Sequence, residues 1–144
     1  MRKRYTLKAG CILLNQERNM VALIYRKKHD DYEFPKGHLE NFEGLKECAV
    51  RETAEEIKRS AKLVESISPI ILKYRTKKGE YCKCYYYLSI DLGNCNNEST
   101  DSHKLIWTNF SDVENTLSHK SLKTVWGIAK TKIHKFLKQE SKSL

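Results

Sequence analysis

The sequence predicts an α+β fold or an α/β/α sandwich, formed by one domain spanning residues 1–144. Two observations carry this. Short segments of strand-type composition run through most of the chain, and they are interleaved with one amphipathic helix near residue 50 and a second at the C-terminus. No repeat and no Gly/Pro/Ser-rich linker divides the chain, and 144 residues suffice for one substantial core.

Tyr5–Leu14 reads as a first strand, closed by the polar turn Asn15–Asn19, and Met20–Tyr25 as its hairpin partner. Residues 26–32 are charged and read as a loop. Pro35 keeps Glu33 and Phe34 extended ahead of a glycine turn at Gly37. After the first helix, residues 62–74 carry Val64, Ile67, Ile70 and Ile71 and predict a strand broken near Pro69. Thr76–Gly79 reads as a turn, Glu80–Asp91 as the clearest strand, and residues 92–102 as a polar loop. Lys104–Asn109 is a short strand and Ser111 is placed to cap a short helix. The terminal helix is expected from Ser121 to about Gln139, with Val125, Ile128, Ala129, Ile133, Phe136 and Leu137 on its apolar side.

The stretch FPKGHLENFEGLKECAVRETAEE, residues 34–56, holds the densest chemistry. Glu55 and Glu56 fall about 60° and 40° either side of Glu52 around a helix, so three carboxylates share one face. Carboxylates crowded so closely repel one another, and a hard divalent cation that takes oxygen ligands offsets that repulsion. Val50, Ala54, Ile57 and Ala61 recur at helical spacing and are expected to face the core, with the carboxylates turned away from it.

The formal net charge of +9 points to a polyanionic partner. A phosphate-rich small molecule is the first candidate and RNA the second, through the basic surface. Seven lysines against Glu140 fall in the last 26 residues, which spreads the excess over a terminal helix face. No apolar run approaches the ~20 residues of a membrane span and the N-terminus lacks an apolar signal region, so a soluble, cytoplasmic protein is expected. Cysteines at 11, 48, 82, 84 and 95 contain no CxxC pair and suggest neither a disulfide framework nor a zinc site.

Gly37, five residues, Glu43, seven residues, then Arg51, Glu52, Thr53, Ala54, Glu55 and Glu56 match most of the Nudix box. The chain therefore resembles the MutT-like Nudix hydrolases, and the resemblance implies a mixed sheet between helices. The family usually ends its box with a glycine and an apolar residue. Lys58 and Arg59 stand there instead, so the helix is expected to continue to about Ser60.

The resemblance implies hydrolysis of a nucleoside diphosphate linked to another group, with Mg²⁺ as cofactor and Mn²⁺ as its substitute. Carried over by position, Glu52, Glu55, Glu56 and the Gly37 carbonyl are the metal ligands, and Arg51 and Glu43 form an orienting pair. Glu52 is the expected general base. Glu98 in the polar loop is the alternative base, with Asp101 behind it. Lys36 in FPKGHLE resembles the diadenosine tetraphosphate hydrolases and the diphosphoinositol polyphosphate phosphohydrolases. Lys83, Tyr85 and Tyr87 share a strand face, where the resemblance implies that Lys83 contacts phosphate and Tyr87 stacks on a base. HKLIW, residues 103–107, echoes the same branch and makes His103 a further substrate residue, although Ser102 replaces the usual acidic neighbour. A dinucleoside polyphosphate such as diadenosine tetraphosphate is the expected substrate. A nucleoside triphosphate, an inositol pyrophosphate and an RNA 5′ end are the alternatives within the enzyme reading, and a non-catalytic nucleotide- or RNA-binding module is the alternative outside it.

Overall fold

Two long strands, β1 (Thr6–Leu14) and β7 (Tyr81–Asn94), lie side by side and parallel, in register from Thr6 against Cys82 to Leu14 against Ile90. They form the middle of an eight-stranded mixed sheet in a computed structural model that describes residues 3–143. The other strands are β2 (Met20–Arg26), β3 (Asp31–Glu33), β4 (Lys36–His38), β5 (Arg59–Leu63), β6 (Ile70–Arg75) and β8 (Lys104–Asn109). β4 and β2 pair with opposite halves of β1, while β6 and β5 pair with opposite halves of β7, all antiparallel. β3 and β8 flank β2.

Successive strand residues point to opposite faces, and β1 shows why both are covered. Ala9, Cys11 and Leu13 pack beneath α1 (Leu45–Ile57) in one cluster with Cys48, Ala49 and Ile57. Ile12 and Leu14 join the larger cluster under α2 (Phe110–Thr116) and α3 (Lys120–Lys142), which contributes Leu122, Val125, Trp126, Ala129 and Ile133. Helices therefore cover both faces of a mixed sheet, as the α/β/α expectation required. Among the described residues, no helix is long and apolar enough to cross a membrane.

Several boundaries and faces differ from the sequence reading. The segment expected as a loop over 26–32 already contains the start of β3 at Asp31. The strand expected over 62–74 divides into β5 and β6 around Pro69, and both find β7 as their partner. α1 buries Cys48, Ala49, Thr53, Glu56 and Ile57, whereas Val50 and Ala54 are only half-buried. The core side is thus rotated toward Cys48 and Thr53, whose hydroxyl donates to the Ala49 carbonyl at 2.8 Å and can be buried without loss. In α3, Ile128 is 47% exposed and Leu122 and Trp126 fill the core instead. Asn109, not Ser111, is the N-cap of α2, and it makes no side-chain cap bond.

α1 ends at Ile57 and does not continue to Ser60. Lys58 adopts the left-handed conformation at φ 57°, and its N–H donates to the Ala54 carbonyl. That conformation normally favours glycine. The lysine has further contacts that hold it: its carbonyl accepts from Cys95 N–H at 3.0 Å, and its ammonium donates to the Ser99 carbonyl.

Candidate active site

Three stretches converge on one cavity of about 570 Å³. Gly37, His38 and Glu40 come from β4 and the turn after it, Arg51, Glu52, Glu55 and Glu56 from α1, and Thr100–His103 from the loop before β8. The loop is tied down where α1 ends, because His103 N–H donates to the Glu56 carbonyl at 2.8 Å. Lys58 holds the same loop from its other end, its carbonyl accepting from Cys95 N–H and its ammonium donating to the Ser99 carbonyl.

Gly37 is expected in a turn for its backbone freedom, but it lies in β4, opposite Ala9, without positive φ. Its requirement is space. A Cβ placed there would sit 1.7 Å from Glu52 Oε2 and 2.0 Å from Glu52 Cδ, so no larger residue fits while that carboxylate stays in place. β4 and α1 are packed until backbone and carboxylate touch.

Arg51 organises the rim. Its guanidinium donates to both oxygens of Glu43, at 2.6 and 2.9 Å, to both oxygens of Glu55, at 3.2 and 3.1 Å, and to the His38 carbonyl at 2.9 Å. The planar fork suits this bidentate pairing, and it holds Glu43's carboxyl below its ordinary range. One cation is thereby shared between the turn, the helix and the cavity wall.

The remaining carboxylates lack comparable compensation. Burial pushes Glu52 up to about 7, with Arg51 opposing the shift and Glu55 adding to it. Glu56, 8% exposed, is pushed by burial to about 8, although its Oε1 accepts the Lys36 N–H at 2.6 Å. The expectation that all three carboxylates turn away from the core therefore fails for Glu56. His103 Nε2 lies 3.4 Å from Glu56 Oε2, and burial together with nearby Arg26 lowers the imidazole's proton affinity. Burial disfavours the charged form of both carboxylates in one cavity. Glu52, Glu55, Glu56 and the Gly37 carbonyl are oxygen donors of the kind a hard divalent ion takes, while among the described residues the group whose ligand atoms all lie within 4.8 Å of one another is Asp31, Glu33 and His119.

Other sequence-nominated residues fall elsewhere. Glu98 is exposed and does not line the cavity, while Asp101 does. Tyr87 is 8% exposed and packed beneath α1 with Cys48 and Ala49, so its ring has no free face for a base. Lys83 extends over the Tyr5 ring, 4.5 Å from its centroid, away from the carboxylates. Lys36 contributes its backbone to Glu56, but its ammonium reaches Glu33 at 3.1 Å in a second cavity of about 400 Å³. Tyr74, Tyr86 and Leu122 also line that cavity. Tyr86 is buried, and its hydroxyl has no hydrogen-bond partner. Alternation along β7 could have nominated Tyr86, since it shares a face with Cys82 and Cys84. Asp31, Glu33 and His119 also approach one another, but Arg26 donates to both Asp31 oxygens, at 2.8 and 2.7 Å, and lies 3.3 Å from Glu33. A guanidinium already occupies the centre of that group.

No curated protein matches the chain by sequence. Solved structures share its fold. A C. elegans Ap4A hydrolase in a binary complex superposes with a TM-score of 0.74 at 19% identity, covering 90% of this chain and 98% of that one. A Nudix-family hydrolase from Clostridium perfringens gives 0.72 at 17%, covering 93% and 99%. The MutT protein from Methanosarcina mazei Go1 gives 0.70 at 14%, covering 92% and 97%. The model of the NUDIX domain matches residues 4–125, most of the chain and the whole of the carboxylate cavity. The chain belongs to the Nudix hydrolase family.

Proposed function

We propose that the chain is a divalent-metal-dependent pyrophosphohydrolase acting on a nucleoside diphosphate linked to a further group, with a dinucleoside polyphosphate as the substrate. The observation that carries this reading is the convergence of Glu52, Glu55, Glu56 and Gly37 on one cavity, where burial pushes Glu52 up to about 7 and Glu56 to about 8. Mg²⁺, or Mn²⁺ in its place, held by Glu52, Glu55, Glu56 and the Gly37 carbonyl would supply Lewis-acid polarisation of phosphate oxygens and an acidified water.

The chain's own residues do the rest. Hydrolysis forms a bond from the water oxygen to phosphorus and breaks the bond from phosphorus to the bridging oxygen, whose electron pair leaves with the departing phosphate. A carboxylate takes the water proton. Glu52 is the base in this reading, and Asp101, which lines the same cavity, replaces Glu98 as the alternative. Arg51 fixes Glu55 and the β4 carbonyl, keeping the cavity's shape as charge moves. Lys36 joins the two cavities, with its N–H on Glu56 and its ammonium among Tyr74, Tyr86 and Leu122. An extended substrate with phosphates at one end and a flat ring at the other matches that arrangement, and it supports the dinucleoside polyphosphate reading.

The test is release of AMP and ATP from diadenosine tetraphosphate with Mg²⁺. Turnover should fall by roughly 100-fold or more in Glu52→Gln and in Glu56→Gln, the scale of disrupted metal sites. Full turnover in both variants sinks the reading.

A further inference from the structure

Away from the carboxylates, one end of the sheet interleaves tyrosines and cations. β1 and β7 begin side by side and bring Tyr5 to Tyr81, ring centroids 6.1 Å apart, while the end of β6 adds Arg75 to the same face. Lys3 Nζ lies 4.8 Å and Arg75 Cζ 5.2 Å from the Tyr81 ring centre, and Lys83 Nζ 4.5 Å from that of Tyr5; across the sheet, Lys8 Nζ lies 5.5 Å from the ring centre of Tyr74. The rings of Tyr5 and Tyr81 are half-buried, so each is braced by the sheet and still accessible.

A cation over a ring is not neutralised by it. Arg26, Arg51 and Arg59 each pair with a carboxylate, yet among the described residues none of Lys3, Lys8, Arg75 or Lys83 does. Over residues 73–83 the only acid is Glu80, against Lys73, Arg75, Lys77, Lys78 and Lys83. Repulsion within this group is relieved by an anion brought from outside, and the rings dictate what else that anion carries.

We propose that this end of the sheet is a binding surface for single-stranded nucleic acid. Bases have π-faces that stack on tyrosine rings irrespective of sequence, and phosphates accept the lysine and arginine donors that the bases displace from those rings. A stacked base is worth more than an exposed cation over the same ring, so the exchange favours binding. In a duplex the base faces are covered by their neighbours, which restricts the surface to single strands. This surface differs from the basic terminal helix to which the sequence assigned the nucleic-acid option.

Fluorescence anisotropy with 12-nucleotide RNA and DNA single strands bearing 5′-hydroxyl ends, in EDTA, tests the proposal without involving metal-dependent hydrolysis. Binding is expected to weaken with salt at a log–log slope of about −0.7 per phosphate contact. Tyr81→Ala and Tyr5→Ala should each weaken it by about fivefold to a hundredfold. Tyr81→Phe should restore it, and Lys83→Ala should flatten the slope. The control pair Lys130→Ala with Lys135→Ala on α3 should leave it unchanged. RNA-only binding and equal binding of RNA and DNA both support the surface and separate the two sources. Absence of binding to either strand overturns the proposal. So does equal affinity for a duplex, or loss of binding in the α3 control while folded Tyr81→Ala binds normally. Because catalysis is absent in EDTA, these outcomes are independent of whether diadenosine tetraphosphate is hydrolysed.

Discussion

Glu52 and Gly37 are in contact closer than any side chain at position 37 would permit. Gly37→Ala must displace the Glu52 carboxylate, the far end of a side chain that can turn aside, so it acts on the site more than on packing. The expected result is weakened metal binding with little change in the metal-free melting temperature, measured by thermal unfolding with and without Mg²⁺. The pH dependence follows from the same residues. Glu52 and Glu56 hold protons in the folded chain up to about 7 and about 8, above the ordinary 4.5, so the folded state binds protons more tightly than the unfolded one. Metal-free protein should therefore lose stability as pH rises from about 5 to about 8 and level off above that. Asp31, held below its ordinary range by Arg26 and His119, acts in the opposite sense only under more acidic conditions. Saturating Mg²⁺ should flatten the fall, and a melting temperature independent of both pH and metal over that window would contradict the charge assignment. Helical spacing places Glu52, Glu55 and Glu56 on one face, while the pairing of Arg51 with Glu43 comes from the resemblance to the Nudix box. Tyr87 and Lys83 were not legible in this way, because alternation along a strand shows which residues share a face but not which helix covers it.

At the level of elements, Lys58 explains how α1 stops without the expected glycine. The backbone strain of a left-handed lysine is offset by contacts that a glycine could make only in part: the carbonyl bond to Cys95 is kept, and the ammonium bond to Ser99 is lost. Lys58→Gly should accordingly leave the unfolding free energy within about 1 kcal/mol of wild type, since glycine accepts φ 57° freely. It should lower kcat/KM by loosening the loop that carries Asp101 and His103 to the cavity, and unchanged kinetics would show that the loop is held without it. The helix end was misread because termination depends on tertiary bonds to a loop some forty residues downstream, which local propensity does not record. β8 is readable to the residue because a polar loop precedes it and its own last residue, Asn109, is the N-cap of α2. β3 begins inside the charged segment 26–32 and β4 lies where the glycine turn is expected, and pairing to β2 and β1 creates strands there that composition does not announce.

Across the whole molecule, the sandwich places its chemistry at the junction of β4 with α1, between two cores that meet only through the central strands. The order of strands around a central and a terminal helix narrows the architecture to an α+β fold or an α/β/α sandwich, and the resemblance to the Nudix box adds the mixed sheet between helices. The parallel pairing of β1 with β7 was not legible, since it joins segments about seventy residues apart. α3 closes the larger core, and Trp126, 1% exposed, is its largest fully buried side chain. Trp126→Ala should cost about 3–5 kcal/mol in urea unfolding while leaving the Mg²⁺ affinity of the surviving folded fraction intact, because α3 lies across the sheet from α1. The claim on which the functional reading rests is that a divalent ion replaces protons at Glu52 and Glu56. Calorimetric titration of Mg²⁺ into metal-free protein near pH 7, repeated in buffers of different ionisation enthalpy, measures that exchange directly. Saturable binding with net proton release, tightening from pH 6 to pH 8 and abolished in Glu56→Gln, is the predicted result. Binding without proton release, or binding unaltered in Glu56→Gln, would contradict it.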